Sequence, residues 1–231
     1  MKRFFKNVSL VETNAGCAVA LDGKQIKTPT GKLLTITSKP LAEAVADEWR
    51  EQKNKVELKT MPLTTLSYAA CDQVAENRAL VEAEVAAYAD TDLICYRADA
   101  PLELCEKEVA AWDPMVNWLK KNHGLNLVLI NGISHVKQED ETLEFVSAYL
   151  ASQCNFTLAA LERITSLLGS IFLSIAINEC ELEANAAWEK SRVDENYQTE
   201  MWGEDAESMP EVEAKFAQFK AAAQFLTLVQ D

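Results

Sequence analysis

Histidine and glycine are rare in this chain, which has only two histidines and seven glycines among 231 residues. So few glycines leave little scope for loops that hold phosphates with backbone N–H groups, and neither a Gly-x-Gly-x-x-Gly run nor a Walker lysine loop occurs. The Gly-x-Ser-x-Gly and His-Glu-x-x-His motifs of hydrolases and metalloproteases are also missing. We therefore expect no bound nucleotide, no cofactor and no enzymatic activity.

Closely spaced cysteines are missing too. Six cysteines occur, and no pair of them has the short spacing of a zinc-binding or redox motif. They are Cys17, Cys71, Cys95, Cys105, Cys154 and Cys180. Such isolated cysteines are typical of reduced thiols in a cytoplasmic protein, so we expect neither disulfides nor a metal site.

No long apolar run occurs in the sequence. The basic opening, residues 1–7, is not followed by an apolar stretch, so no secretory signal is predicted. The most apolar later segment, residues 164–177, is interrupted by Gly169, Ser170 and Ser174 and is too short to span a bilayer. We expect a soluble protein of the bacterial cytoplasm, or of the mitochondrial matrix if the source is a eukaryote.

Positive charge is in the minority, with 22 Lys and Arg against 36 Asp and Glu and a net charge of −14. A negative field of this size repels phosphate backbones and anionic lipid head groups, so nucleic acid and membrane surfaces are not expected as partners. The acidity either keeps the protein soluble or attracts a basic surface on a partner protein.

The first sixty residues contain alternating apolar patterns and turn residues, which predict strands. Residues 17–21 and 24–27 flank Asp22-Gly23, a pair that favours a tight hairpin because both residues tolerate positive φ. Residues 33–36 predict a third strand, and residues 4–11 are a candidate for a fourth. The sequence therefore predicts a β-meander at the amino terminus.

A helix is predicted directly after the meander. Ser38 is a candidate N-cap, a proline stands in the first turn, and the apolar residues Leu41, Val45 and Trp49 recur at helical spacing. A helix that covers the strands gives an α+β domain over residues 1–59.

Helical patterns dominate residues 60–231. Thr60 is predicted to cap a helix that begins at Pro62. Pro114 is predicted to bend or restart a later helix, which Gly124 ends. Residues 161–175 are predicted to form one central buried helix. Residues 125–130 are the one later strand-like run, and the pattern leaves open whether they join the amino-terminal sheet. The predicted fold class is therefore α+β, with a small β-meander/helix domain followed by a larger, mainly α-helical domain.

Carboxylates offer the few candidates for chemistry. Asp90 and Asp92, near Tyr96, form a possible acid–base pair, although a loop in which Asp92 caps a helix is the more common arrangement. A second acidic stretch surrounds Trp202 and Gly203, and its simpler interpretation is one helix that ends at Gly203 and another that begins at Glu204. A hydrolase of unrecognised type, acting through carboxylates near Asp92 or Glu204, is therefore the alternative hypothesis.

The order of several short motifs resembles the ATP synthase assembly chaperones of the ATP12 type, which occur in mitochondria and alphaproteobacteria. No single motif is specific, but together they cover nearly the whole chain. They are Arg3-Phe4-Phe5-Lys6, Leu21-Asp22-Gly23-Lys24, Glu48-Trp49, Met61-Pro62-Leu63-Thr64, Trp112-Asp113-Pro114, Leu168-Gly169-Ser170 and Gln198-Thr199-Glu200-Met201-Trp202-Gly203.

This resemblance implies a two-part architecture and a protein that is not an ATPase. It implies a chaperone that binds the unassembled alpha subunit of the synthase's soluble catalytic sector and prevents its aggregation until beta subunits arrive. An acidic residue shortly after the Trp-Gly pair is important in the family, so the implied partner-binding residues are Trp202, Glu204, Asp205 and Glu207. We expect a monomer, and a passive scaffold that remains in the finished synthase is a further alternative.

Overall fold

The computed structural model describes residues 2–203 and 209–230, and it confirms the α+β fold class. The strands in these residues are β1 Val8–Thr13, β2 Gly16–Leu21, β3 Lys24–Gln25, β4 Tyr96–Arg97 and β5 Ile130–Asn131. The α-helices are α1 Lys39–Glu51, α2 Pro62–Ala69, α3 Arg78–Ala86, α4 Leu102–His123, α5 Asp140–Ser152, α6 Asn155–Leu168, α7 Ile171–Asn178, α8 Ala184–Lys190, α9 Val193–Trp202 and α10 Met209–Gln230.

The predicted hairpin is confirmed. β2 pairs antiparallel with β3 in the register Ala20 to Gln25, and the turn residues Asp22 and Gly23 have φ angles of 49° and 82°. β1 pairs antiparallel with the other edge of β2, which gives the order β1-β2-β3. The candidate strand over residues 4–11 is thus present as β1, although it begins at Val8.

The strand predicted over residues 33–36 is wrong. These residues make only isolated bridges, one between Lys27 and Leu33 and one between Cys17 and Ile36. The Leu34 N–H donates to the carbonyl of Ile26, whereas the Ile36 N–H donates to that of Cys17. Because the segment changes partner strand within two residues, no continuous ladder forms.

The helix predicted after the meander is confirmed as α1. The Ser38 side chain accepts a hydrogen bond from the Leu41 N–H, as an N-cap does, and Leu41, Val45 and Trp49 are buried. α1 packs against β1, β2 and α2. The apolar stripe therefore covers the sheet, as its spacing predicts.

The predicted cap of α2 is wrong. Met61 occupies the N-cap position without a side-chain hydrogen bond, and Thr60 lies in a preceding 3-10 turn. The cap comes instead from Glu48 on α1, whose carboxylate accepts from the N–H groups of Leu63 and Thr64 at 2.8 and 2.7 Å. The Thr64 hydroxyl donates to the same carboxylate. Burial raises the pKa of Glu48, while these donors act in the opposite direction.

α4 is continuous through Pro114, so the predicted restart is wrong. Pro114 and Ala110, the residue one turn earlier, are both exposed, which leaves the carbonyl without a helical partner open to water. The opposite face carries the buried side chains of Trp112, Met115 and Leu119. The helix ends, as predicted, at Gly124 with a φ of 73°.

Residues 130–131 do not join the amino-terminal sheet. β5 pairs in parallel with β4, in the register Tyr96 to Ile130, and the two form a separate small sheet. The question that the sequence pattern leaves open is thereby answered.

The single central helix predicted over residues 161–175 is wrong. Its predicted core positions are all buried, but α6 ends at Leu168 and α7 begins at Ile171. Gly169 has a left-handed φ of 69°, and the Ser170 hydroxyl accepts from the Leu173 N–H as the N-cap of α7. Periodicity identified the buried face correctly because the same face remains buried on both sides of the break.

The described residues form two compact units. One contains the described parts of residues 1–79, 154–160 and 221–231, and the other contains those of residues 80–153 and 161–220. α6 and α10 each contribute residues to both units. The division of the chain into domains at residues 1–59 and 60–231 stays a prediction.

Replacement of Glu48 tests the cap on α2. Glu48→Ala leaves two buried N–H groups without an acceptor, so we expect the free energy of unfolding to fall by about 2–4 kcal/mol. Glu43→Ala, on the exposed face of the same helix, is the matched control and should change it by less than about 0.5 kcal/mol. Urea titration of both variants measures the difference, and equal stabilities would show that Glu48 is not the cap.

Candidate functional site

Asp90 and Asp92 do not form a carboxylate pair. Asp92 is fully buried; one carboxylate oxygen accepts from the Ile94 N–H at 3.1 Å and the other from the Phe172 N–H at 3.2 Å. Asp90 instead contacts His135 Nε2 at 3.0 Å and accepts from the Gln138 N–H at 2.8 Å. The capping interpretation of Asp92 is confirmed, since its side chain caps the 3-10 turn at Leu93–Cys95.

The surroundings of Asp92 and of Asp90 shift the pKa values of the two carboxyls in opposite directions. Burial raises the pKa of Asp92 to about 7, against the opposing effect of the Ser170 hydroxyl and the surrounding backbone N–H groups. The pKa of Asp90 is lowered, chiefly by its hydrogen bond from the Gln138 backbone. The pKa values of the two acids are thus set by different surroundings. Asp90 and Asp92 do not form an acid–base pair.

A second buried acid, Glu108 on α4, was missed by the sequence analysis. Its carboxylate accepts from the Ala98 N–H at 2.8 Å, just beyond β4. Burial raises its pKa to about 7, helped by a hydrogen bond with Asp194. Its spacing from Trp112 and Leu119, four and eleven residues further on, places it on the apolar face of α4, and this was the available indication.

Arg97 completes the charged cluster beside Glu108. Its guanidinium lies 3.0 Å from the Asp113 carboxylate and 5.1 Å from the centroid of the Trp112 ring. Its Nε donates to the Ile94 carbonyl. These contacts fix the β4 segment against α4, so the cluster has a structural role.

The two histidines occupy separate places. His123 is the last residue of α4, where a cation is favourable, and its Nε2 lies 3.1 Å from the Glu179 carboxylate. His135 contacts Asp90. Among residues 2–203 and 209–230, no group of three or more His, Cys, Asp or Glu side chains is arranged to hold a metal ion. The six cysteines are free thiols, of which Cys154 and Cys180 are exposed.

The implied partner-binding region lies at the end of α9. Trp202 is 77% exposed there, next to the half-exposed Met201, and Gly203 ends the helix with a φ of 88°. Glu204, Asp205 and Glu207 lie outside the described residues. α10 begins beyond them at Met209, whose side chain is also exposed.

α9 holds this exposed end in a fixed place. It packs along α4, with Tyr197 buried at the contact. Lys107 Nζ donates to the carboxylate of Glu200, two residues before Trp202, at 2.6 Å. An aromatic side chain in water on an anchored helix has no role in the core of this unit, which makes Trp202 a candidate contact for another protein.

A match to a known family decides the identity of the chain. Residues 2–120 match the model of the family described as ATP12 chaperone protein. The chain belongs to the ATP12 chaperone family. Trp202 lies beyond the matched residues.

Known relatives are similar to nearly the whole protein. Protein atp12, mitochondrial, of Schizosaccharomyces pombe is 29% identical over 229 residues, which cover 93% of this chain and 78% of the relative. The crystal structure of Atp12 from Paracoccus denitrificans superposes with a TM-score of 0.95 at 32% identity, covering 99% of this chain and 98% of that one. A protein from Agrobacterium tumefaciens gives a TM-score of 0.93 at 33% identity, covering 98% and 85% of the two chains.

An aspartate-to-lysine mutant of the P. denitrificans Atp12p also has a known structure, with a TM-score of 0.95 to this chain at 32% identity and coverage of 99% and 97%. The ATP12-family fold therefore accounts for both compact units of this chain. No α-helix in the described part of this family member is long and apolar enough to cross a membrane.

The raised pKa of Asp92 predicts a pH-dependent stability. In the folded state this carboxyl keeps its proton up to about pH 7, whereas in the unfolded state it loses the proton near pH 4. The free energy of unfolding therefore decreases as the pH rises from about 4 to about 7. One such group contributes a slope of up to about 1.4 kcal/mol per pH unit. Asp92→Asn should flatten the slope between pH 5 and 7 in denaturant titrations.

Glu211→Gln is the control for this measurement, because the hydrogen bond from Lys215 lowers the pKa of Glu211 and its titration lies below that window. It should leave the slope between pH 5 and 7 unchanged. An unchanged slope in Asp92→Asn would mean that Asp92 is ionised throughout the range.

Proposed function

We propose that this protein is an assembly chaperone of ATP synthase whose client is the unassembled alpha subunit of the soluble catalytic sector. Membership of the ATP12 chaperone family, together with similarity over nearly the whole length of the chain, is the observation that carries the proposal. The protein acts where the synthase is assembled, in the bacterial cytoplasm or the mitochondrial matrix, and it acts as a monomer.

The physical task explains why a binding protein suffices. A subunit surface that is built for a permanent partner is large and apolar, and it aggregates while it is exposed. A chaperone that covers this surface with moderate affinity prevents self-association and leaves when the correct neighbour binds more tightly. Arrival of beta subunits supplies that neighbour, so the cycle requires neither nucleotide nor catalysis.

The buried carboxylates support a non-enzymatic function. Glu48, Asp92 and Glu108 each accept backbone N–H groups, and all three are buried. A substrate does not reach an acid that is enclosed and occupied in this way. The described residues thus provide no support for a hydrolase at Asp92.

We assign the client contact to the end of α9 and the acidic residues after it, namely Trp202, Glu204, Asp205 and Glu207. An exposed aromatic ring supplies apolar contact area at a low cost in side-chain entropy, which is why aromatic residues dominate binding energies at interfaces. Neighbouring carboxylates that face basic groups of the client would contribute specificity and association rate.

Complex formation with the alpha subunit tests the proposal. We expect co-expressed protein and alpha subunit to elute together from a size-exclusion column at a one-to-one ratio, and beta subunits to release the chaperone. Separate elution of two folded partners at micromolar concentration would count against the proposal. Recovery of the protein in purified synthase would favour the passive scaffold.

Substitutions at the end of α9 test the proposed contact. Trp202→Ala and the double variant Glu204→Lys/Glu207→Lys should each weaken binding to the alpha subunit by about tenfold or more, which corresponds to roughly 1.4 kcal/mol. Ile133→Ala, at a residue that is 98% exposed, and Glu213→Lys, on the exposed face of α10, are the matched controls. Unchanged affinity in both test variants would remove these residues from the client contact.

A further inference from the structure

A groove of about 660 Å³ opens in the amino-terminal part of the chain, and we call it the Trp49 groove. Its floor consists of buried apolar side chains, and two exposed apolar side chains, Phe4 and Leu58, stand at its rim. The floor side chains are those of Phe5, Leu21, Ile26, Trp49 and Val56. A volume in this range is typical of a ligand-binding pocket.

The wall that carries Phe4 and Phe5 is held at both ends. The Arg3 N–H donates to the Asn54 carbonyl, and the Arg3 guanidinium donates to the Gln52 carbonyl at 2.8 Å. At the other end, the Asp22 carboxylate accepts from the Asn7 N–H at 2.8 Å. Phe4, which is 62% exposed, therefore stands on an ordered segment with no apolar cover.

Two residues that line the groove, Trp49 and Tyr68, carry polar hydrogen-bond donors. Trp49 is 5% exposed, and its buried Nε1–H donates to no acceptor in the described residues. Because this N–H is enclosed, only the ring of Trp49 is available to a ligand in the groove. Tyr68 also lines the groove, and burial raises its pKa to about 12, which keeps its hydroxyl protonated as a donor.

Residues 1–60, which supply nearly all of the groove lining, carry a net charge opposite to that of the rest of the chain. Residues 1–60 contain eleven Lys and Arg against seven Asp and Glu, a net charge of +4, whereas residues 61–231 contain eleven against 29, a net charge of −18. Lys24 and Lys27 line the groove and are exposed, and neither forms an ion pair with a described residue. Asp22 also lines the groove, but its carboxylate accepts from the N–H groups of Lys6 and Asn7. The groove therefore combines an apolar floor with two unpaired cations and one carboxylate that is occupied by backbone donors.

We infer that the Trp49 groove binds an extended segment of the client protein in which apolar side chains are flanked by carboxylates. The apolar side chains fill the floor between Phe4 and Leu58, and the carboxylates face Lys24 and Lys27. This inference rests on the proposed function, because it assigns a second contact to the same client, separate from the end of α9.

A polypeptide segment fits these features better than nucleic acid does, since a phosphate backbone needs cations without a deep apolar floor. A second copy of the chain is the other acidic candidate, given the charge of residues 61–231. The two are distinguished by whether groove variants alter client binding or alter self-association.

Two fluorescein-labelled peptides provide the direct test. One has a leucine- and phenylalanine-rich centre flanked by aspartates, and the other has lysines in place of the aspartates. Fluorescence anisotropy should show at least tenfold tighter binding of the aspartate peptide, and Lys24→Glu/Lys27→Glu should reverse the preference. Lys39→Glu, an exposed lysine outside the groove, is the control and should leave the preference unchanged.

Phe4→Ala removes an exposed apolar side chain from the groove, so it should weaken binding of the aspartate peptide several-fold. Equal binding of the two peptides, or no effect of the lysine variants, would overturn the inference. So would a concentration-dependent dimer that Lys24→Glu/Lys27→Glu abolishes, because the groove would then hold a second copy.

The whole alpha subunit separates this inference from the proposed function. If the wild-type protein does not bind the alpha subunit, the proposed function fails, and the peptide pair alone decides about the groove. If the wild type and Lys24→Glu/Lys27→Glu bind the alpha subunit equally, the proposed function stands and the groove inference fails. We expect the double variant to bind it at least tenfold more weakly.

Discussion

Buried carboxylates that accept backbone N–H groups from distant parts of the chain determine where helices of this protein begin. Glu48 on α1 caps α2, and Asp92 joins its own 3-10 turn to the first turn of α7. Each of these acids is removed from water, and backbone donors replace part of the lost hydration. The arrangement of helices in each compact unit depends on these bonds.

This constraint separates structural acids from those available for binding. The interior carboxylates Glu48, Asp92 and Glu108 are engaged with backbone groups, so they offer nothing to a substrate. Exposed groups remain available for binding, among them the aromatic ring of Trp202 and the rim of the Trp49 groove. Both are surfaces suited to another protein, which agrees with membership of a chaperone family.

Features encoded by neighbouring residues could be predicted from the sequence. The Asp22-Gly23 turn, the Ser38 cap and the end of α4 at Gly124 each depend on residues within a few positions, and all three are confirmed. Features that depend on distant partners could not. The cap on α2 comes from Glu48, fourteen residues before Pro62, and the break before α7 is stabilised by Asp92, about eighty residues away.

The same distinction applies to the candidate sites. The end of α9 at Gly203 could be predicted from local residues, whereas Trp202 was named through the resemblance of its motif to the ATP12 family. The Trp49 groove draws on residues between Phe4 and Tyr68, and no local pattern reveals that they line one cavity. The charge difference between residues 1–60 and the remainder was available in the sequence, although the overall charge of −14 conceals it.

Suppression of aggregation tests the central claim most directly, namely that this protein covers an exposed surface of the alpha subunit. Light scattering of alpha subunit diluted from denaturant should fall to near the buffer level at an equimolar amount of this protein, and no ATP should be needed. Scattering that is the same with this protein as with an equal amount of serum albumin would contradict the account.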